Sequence, residues 1–238
     1  MTRAAILAGV LAACGGGGGA GSAAKRPAEP THVTRTIPIA DTEPEDGVEV
    51  VSTRGHMDPA VVEVGLAPHK ASLSDCYTTR VGRRRWLGGH VALHWDINKD
   101  GEVTAVKLAE SDLGAWPVEK CLLEVARMAT FGKPIGGDAD FMVPLDFTSK
   151  GKPAFWDEDE GIKAVGGQLV KLDACAKTKG VKGGHPSDVT ITVYVGPQGK
   201  AQSVGFASAK TVLDDLWVDC AEKAALAWRL PDPKGTVA

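Results

Sequence analysis

The sequence predicts an α+β fold, a small antiparallel sheet with two helices on one face, written twice in tandem. Three observations carry this. Cys76 and Cys121 are 45 positions apart, and so are Cys175 and Cys220. Val91, Leu93, Trp95 and Ile97 recur at every second position and lead to Gly101, as Val189, Ile191, Val193 and Val195 lead to Gly199. The offset between the copies is 98 in these strands and 99 at the cysteines, a slip of one residue on each side of the hairpin. Shared spacing with shared patterning marks one supersecondary unit built twice, so the chain reads as two small domains rather than one large fold.

The elements follow in order. Residues 1–13 read as a secretory signal: Met-Thr-Arg, then an apolar run from Ala4 to Ala13 that is too short to span a bilayer. Leu11-Ala12-Ala13-Cys14 resembles the lipobox of bacterial lipoproteins, and that resemblance implies that Cys14 is the lipidated first residue of the mature chain; the alternative is an ordinary secretory signal with an incidental cysteine. Residues 14–45 are a tether: the glycines 15–19, then a stretch rich in Pro, Ala, Thr and charge. The glycine run is no phosphate loop, because no Gly-Lys-Ser/Thr follows it.

The first copy spans residues 46–149. Val48 to Val51 has the composition of a short edge strand. Asp58-Pro59 starts a helix, with Asp58 as N-cap, and Pro68 kinks or restarts it before Cys76. A basic loop holds Arg80, Arg83, Arg84 and Arg85. The hairpin runs Gly89 to Ile97, turns at Asn98-Lys99-Asp100-Gly101, and returns over Val103 to Leu108. Val118, Leu122, Val125 and Ala129 trace a helix carrying Cys121. Phe141 to Phe147 closes the copy as a strand, and Pro144 assigns it to an edge. An acidic linker, residues 150–164, joins the copies, with Phe155 and Trp156 either packed on a neighbour or exposed.

The second copy, residues 165–238, repeats this more loosely. Leu169, Leu172 and Cys175 mark a shorter first helix, Val189 to Val195 and Ala201 to Phe206 the hairpin, and Leu213 to Trp228 a helix with Cys220. Thr236-Val237-Ala238 is at most a stub of a final strand, so this sheet is one strand short or another segment fills its edge.

Composition narrows the function classes. A hydrophobic share of 43%, a charged share of 24% and a net charge of −3 belong to an ordinary globular protein, with no overall pull toward nucleic acid or anionic lipid. Export places the cysteines in an oxidising compartment, where Cys76–Cys121 and Cys175–Cys220 are the natural pairs; the alternative is two buried free thiols per copy. Asp96-Ile97-Asn98-Lys99-Asp100-Gly101 opens like an EF-hand loop, but Lys107 stands where a bidentate glutamate is required, so it reads as a β-turn. His90 and His94 share a strand face about 13 Å apart, too far for one metal. No metal or cofactor is expected, and no GxSxG, HExxH, GxGxxG or Walker motif points to an enzyme.

Asp75-Cys76-Tyr77, the run Arg83-Arg84-Arg85-Trp86-Leu87-Gly88-Gly89, the pattern from Ile97 through Gly101 to Val103, Ser111-Asp112-Leu113, and Cys121 followed by Phe131 resemble the AgmX/PglI C-terminal domain family. Those domains in turn resemble the TonB C-terminal domain, a periplasmic interaction module. The second copy departs from the pattern: Ala176 replaces the tyrosine, and the arginine-rich loop is absent. The resemblance implies a non-enzymatic role in a cell-envelope or motility-type assembly through binding of another envelope protein. The lipobox adds an anchor at Cys14, Gly15 in place of an Asp after it favours the outer over the inner membrane, and the incomplete second copy suggests binding by strand addition. The alternative is a binder of peptidoglycan or lipid headgroups through Arg80, Arg83, Arg84 and Arg85.

Overall fold

The computed structural model describes residues 54–154 and 157–238. The signal segment, Cys14, the tether and the strand expected at Val48 to Val51 lie outside the described residues, as do Phe155 and Trp156. The fold is mixed α+β with two small antiparallel sheets.

In the first half, α1 spans Pro59–Leu66, and its cap is as expected: Asp58 accepts the Ala60 amide at 2.8 Å. Pro68 lacks the N–H that an α-helix needs, so a 3-10 turn at Ala67–His69 intervenes before α2, Lys70–Arg80. β1 (Gly89–Ile97) and β2 (Val103–Ser111) form the hairpin, and α3 covers Trp116–Ala126. β3 (Ala139–Phe147) pairs antiparallel with β1 on the side away from β2, giving the order β2-β1-β3. Val91, Leu93, Trp95 and Ile97 point at the helices and are buried. Phe141 stacks on Trp95 at 5.2 Å and Phe147 on Tyr77 at 4.8 Å, so β3 adds aromatic cover as well as backbone pairing.

The second half repeats the order with changes. The stretch read as an acidic linker ends in a helix, α4, Glu158–Gly166. Its cap Asp157 accepts the Glu160 amide at 3.2 Å, 99 positions after the cap Asp58. The expected first helix after it is a 3-10 run, Leu169–Lys177, following Gly166 and Gly167. β4 (Thr190–Val195) pairs with β5 (Ala201–Ala207), and α5 covers Asp215–Ala225 under the cap Asp214. Both disulfides are formed, Cys76–Cys121 and Cys175–Cys220, each with Cα atoms 5.6 Å apart.

The repeat predicts a core in each half. Instead the buried side chains of both halves form one continuous cluster. The joint is dense. Ser208 donates its amide to the Leu108 carbonyl at 2.8 Å, continuing from β2 toward the second hairpin. Tyr194 packs on Trp86 and donates its hydroxyl to the Gly88 carbonyl at 3.0 Å. Arg127 grips Asp215 through two nitrogens at 2.7 and 2.9 Å, and Lys120 and Trp116 both donate to Asp219. A shared core buries a larger fraction of the chain's surface than two separate cores of half the size would.

Candidate functional site

The two sheets differ at one edge. β1 is flanked on both sides; β4 is flanked by β5 alone. At the far end of β4, Val195 exchanges two hydrogen bonds with Ala238, at 2.6 and 2.9 Å. Ala238 thus stands opposite Val195 as Ala139 stands opposite Ile97 in the first half. Backbone groups alternate sides along a strand, so Val193 and Ile191 present their N–H and C=O to the same outer edge as Val195. Among the described residues no strand lies beside those two.

An apolar groove runs along this edge, with a volume of ≈ 480 Å³. Val189, Ile191 and Val193 form one wall; Ile162 and Val165 of α4 and Leu169 form the other. Ile162 is 63% exposed and Leu169 42%, unusual for large aliphatic side chains beside an unpaired strand. The groove follows from substitutions between the halves. Val193 occupies the place of Trp95 and Ala176 that of Tyr77, so the second half lacks aromatic side chains at these two positions.

The residues singled out in the sequence take these positions. The disulfides brace the helix pairs and are not exposed to the groove lining. Arg80, Arg83 and Arg85 are exposed on the loop after α2, while Arg84 is half-buried and faces Glu222 of α5. The EF-like hexapeptide is a turn: Asn98 Oδ1 accepts the amides of Asp100 and Glu102 at 3.0 and 2.9 Å. Gly101 takes a φ of 89° there. His90 and His94 lie on the face away from the helices, His90 against Asp146 at 3.0 Å and His94 against Asp140 at 3.1 Å. Among the described residues no group of three or more His, Cys, Asp or Glu is placed to hold a metal.

One residue that sequence reasoning passed over is Glu119. It is fully buried where the halves meet. Its Oε1 accepts the Ser111 hydroxyl at 2.7 Å, and its Oε2 accepts the Phe206 amide of β5 at 2.9 Å. Burial pushes its carboxyl up to about 7, against the opposing pull of the Ser111, Phe206, Ala115 and Gly114 hydrogen bonds. The signal was present: Ala115, Leu122 and Ala126 line one helix face, and Glu119 falls within that stripe.

No family model, no curated protein and no solved structure matches this chain.

Proposed function

We propose that the chain is a non-enzymatic envelope lipoprotein, anchored through Cys14, whose two TonB C-terminal-like halves form a protein-interaction module. The partner is another envelope protein, and it adds a strand to the outer edge of β4. The observation that carries this reading is the outer backbone edge of Ile191 and Val193, beside which no strand lies among the described residues, next to an aliphatic groove. Strand addition needs both parts: main-chain hydrogen bonds supply affinity, and pockets for alternate side chains supply selectivity. The first half gives the template, because β3 satisfies the same edge of β1 with Phe141, Val143 and Leu145 turned toward the core.

The exposed Arg80, Arg83 and Arg85 favour a second reading, binding of an anionic glycan or headgroup. One experiment separates the two. A photoreactive residue placed at Ile162 is expected to crosslink a defined partner in intact cells. Appending residues 140–147 after Ala238, which already stands in the place of Ala139, is expected to abolish that adduct by filling the edge, while Arg83→Ala, Arg84→Ala and Arg85→Ala together leave it intact. Adduct yield unchanged by the appended strand overturns strand addition. Loss on arginine replacement alone, together with salt-sensitive loss of peptidoglycan or vesicle binding, favours the second reading.

A further inference from the structure

The basic loop after α2 does not stand alone. Gly151 donates its amide to the Arg85 carbonyl at 2.7 Å and so lays the turn after β3 against that loop. Tyr77 ties the same two segments: its hydroxyl donates to the Leu87 carbonyl at 2.8 Å, with the Thr148 carbonyl at 3.2 Å. Ser149 donates its hydroxyl to the Gly151 carbonyl at 2.6 Å and fixes the turn. Lys150 and Lys152 flank Gly151, so they stand beside an arginine loop that is remote from them in sequence. With Arg83, Arg85 and Arg80 in the last turn of α2, they make five exposed cations on two stitched segments.

We propose that Arg80, Arg83, Arg85, Lys150 and Lys152 form one face that seats the module on the phosphate headgroups of an anionic bilayer. This rests on the second reading above, enlarges the arginine loop by two lysines and commits it to one ligand. It leaves the β4 edge to its protein partner.

The charge of this face is not answered from within the chain. No acid occurs between Asp75 and Asp96, or between Asp146 and Asp157, where the acidic start of α4 marks the end of the face. The acids at its border are engaged: Asp112 accepts the His90 amide, Asp146 lies 3.0 Å from the His90 ring, and Glu222 faces Arg84. Among the described residues Arg83, Arg85, Lys150 and Lys152 have no carboxylate within ion-pair distance. Apolar side chains are scarce there, because Leu87 is buried and Trp86 is half-covered by Tyr194. A protein partner needs a dry apolar centre, and a compact anion needs donors that converge in a pocket. Separate cations on exposed turns suit a surface of many phosphates, which guanidinium forks and ammonium point charges both bind.

The size of the effect follows from the number of charges. Each Lys or Arg close to an anionic membrane surface contributes about fivefold in affinity, so two supply roughly twentyfold and four a few hundredfold. The attraction is screened over about 10 Å at 0.1 M salt, so it acts at contact and fades as salt rises. The anchor proposed at Cys14 already supplies attachment. The face therefore sets how the module stands on the bilayer, not whether it stays there.

The test uses the full chain with Cys14→Ser, so that no acyl chain contributes, and co-sedimentation with vesicles of phosphatidylcholine alone or mixed with phosphatidylglycerol. At low salt the affinity for the anionic vesicles is expected to exceed that for neutral ones by about a hundredfold or more, and to lose that advantage near about 1 M salt. Lys150→Gln with Lys152→Gln is expected to lower the advantage about tenfold or more. Adding Arg83→Gln and Arg85→Gln is expected to abolish it, with urea unfolding unchanged because all four side chains are exposed or on the surface turns. Equal binding of the parent to both vesicles overturns the proposal. So does a loss confined to the arginine substitutions, which would place the lysines outside the site. Peptidoglycan or polyglutamate bound through the same four residues as tightly as the anionic vesicles also overturns the headgroup assignment. Peptidoglycan binding alone keeps the broader anionic reading, and binding to none of these ligands ends both. In every case strand capture is read separately, by the crosslink from Ile162.

Discussion

Glu119→Gln isolates the buried carboxyl at the joint between the halves. The amide side chain keeps the shape: its oxygen accepts the Phe206 amide, and its NH₂ donates to the Ser111 hydroxyl oxygen. It removes the titration, and with it one of the two oxygens that serve the Ala115 and Gly114 amides, a loss that does not vary with pH. In the folded chain the Glu119 carboxyl is raised from 4.5 to about 7. Between those two pH values the folded state holds a proton that the unfolded state has lost, so stability falls as pH rises, by roughly 1.4 kcal/mol per pH unit. The full effect is present below pH 4.5 and has been lost above pH 7, a total of about 3 kcal/mol. Urea unfolding with the disulfides intact, at pH 5 and pH 8, reads this directly. The stability of the Glu119→Gln variant relative to the parent is expected to rise by about 2–3 kcal/mol between pH 5 and pH 8. Parallel stability curves for parent and variant, or a uniform loss at both pH values, would refute the reasoning.

Two further outcomes concern the same joint and the staples. Gly205→Ala is expected to destabilise the fold by about 3 kcal/mol or more in urea unfolding, because a Cβ there collides with the Glu119 carboxylate and the Gly114 backbone; a loss under about 1 kcal/mol would show that the halves part easily. Replacing Cys175 and Cys220 by Ala is expected to cost up to about 4 kcal/mol for its 45-residue separation. Because the core is shared, the loss is expected as a single unfolding transition, and a separate early transition of the second half alone would contradict one continuous core.

Most local structure was legible because it is dictated locally. Asp58 announced a cap, Pro68 a break, Asn98 to Gly101 a turn, and the period of two in the strands which residues face inward. The cysteine spacing led to both disulfides. What failed was of another kind. The charge run of Asp157 to Glu160 hid a helix start, although Asp157 repeats Asp58 at the offset of the cysteines. The single core was hidden because it depends on which surfaces meet. Trp86, Tyr194, Trp116 and Asp219 each have an ordinary reading within their own half, and periodicity carries no information on partners across the joint. The outer edge of β4 was partly legible from the missing closing strand. Its groove was not, since α4, which forms one wall, reads as linker in the sequence.

The chemistry of that groove argues for an extended chain over a compact solute. Its side-chain lining is aliphatic apart from Thr192, and the edge of β4 adds backbone amides and carbonyls spaced along a strand. A compact ligand filling ≈ 480 Å³ would desolvate Ile191 and Val193 while pairing few of those groups, and each buried orphan costs about 1–3 kcal/mol. A strand pairs them in sequence and turns every second side chain into the trough. The first half already demonstrates the arrangement in β3, with Phe141 closing over Trp95. In the second half that indole is replaced by Val193, and the closing residue is left to whatever strand binds. A bulky apolar side chain at that position of the incoming strand, opposite Val193, therefore contributes most to discrimination.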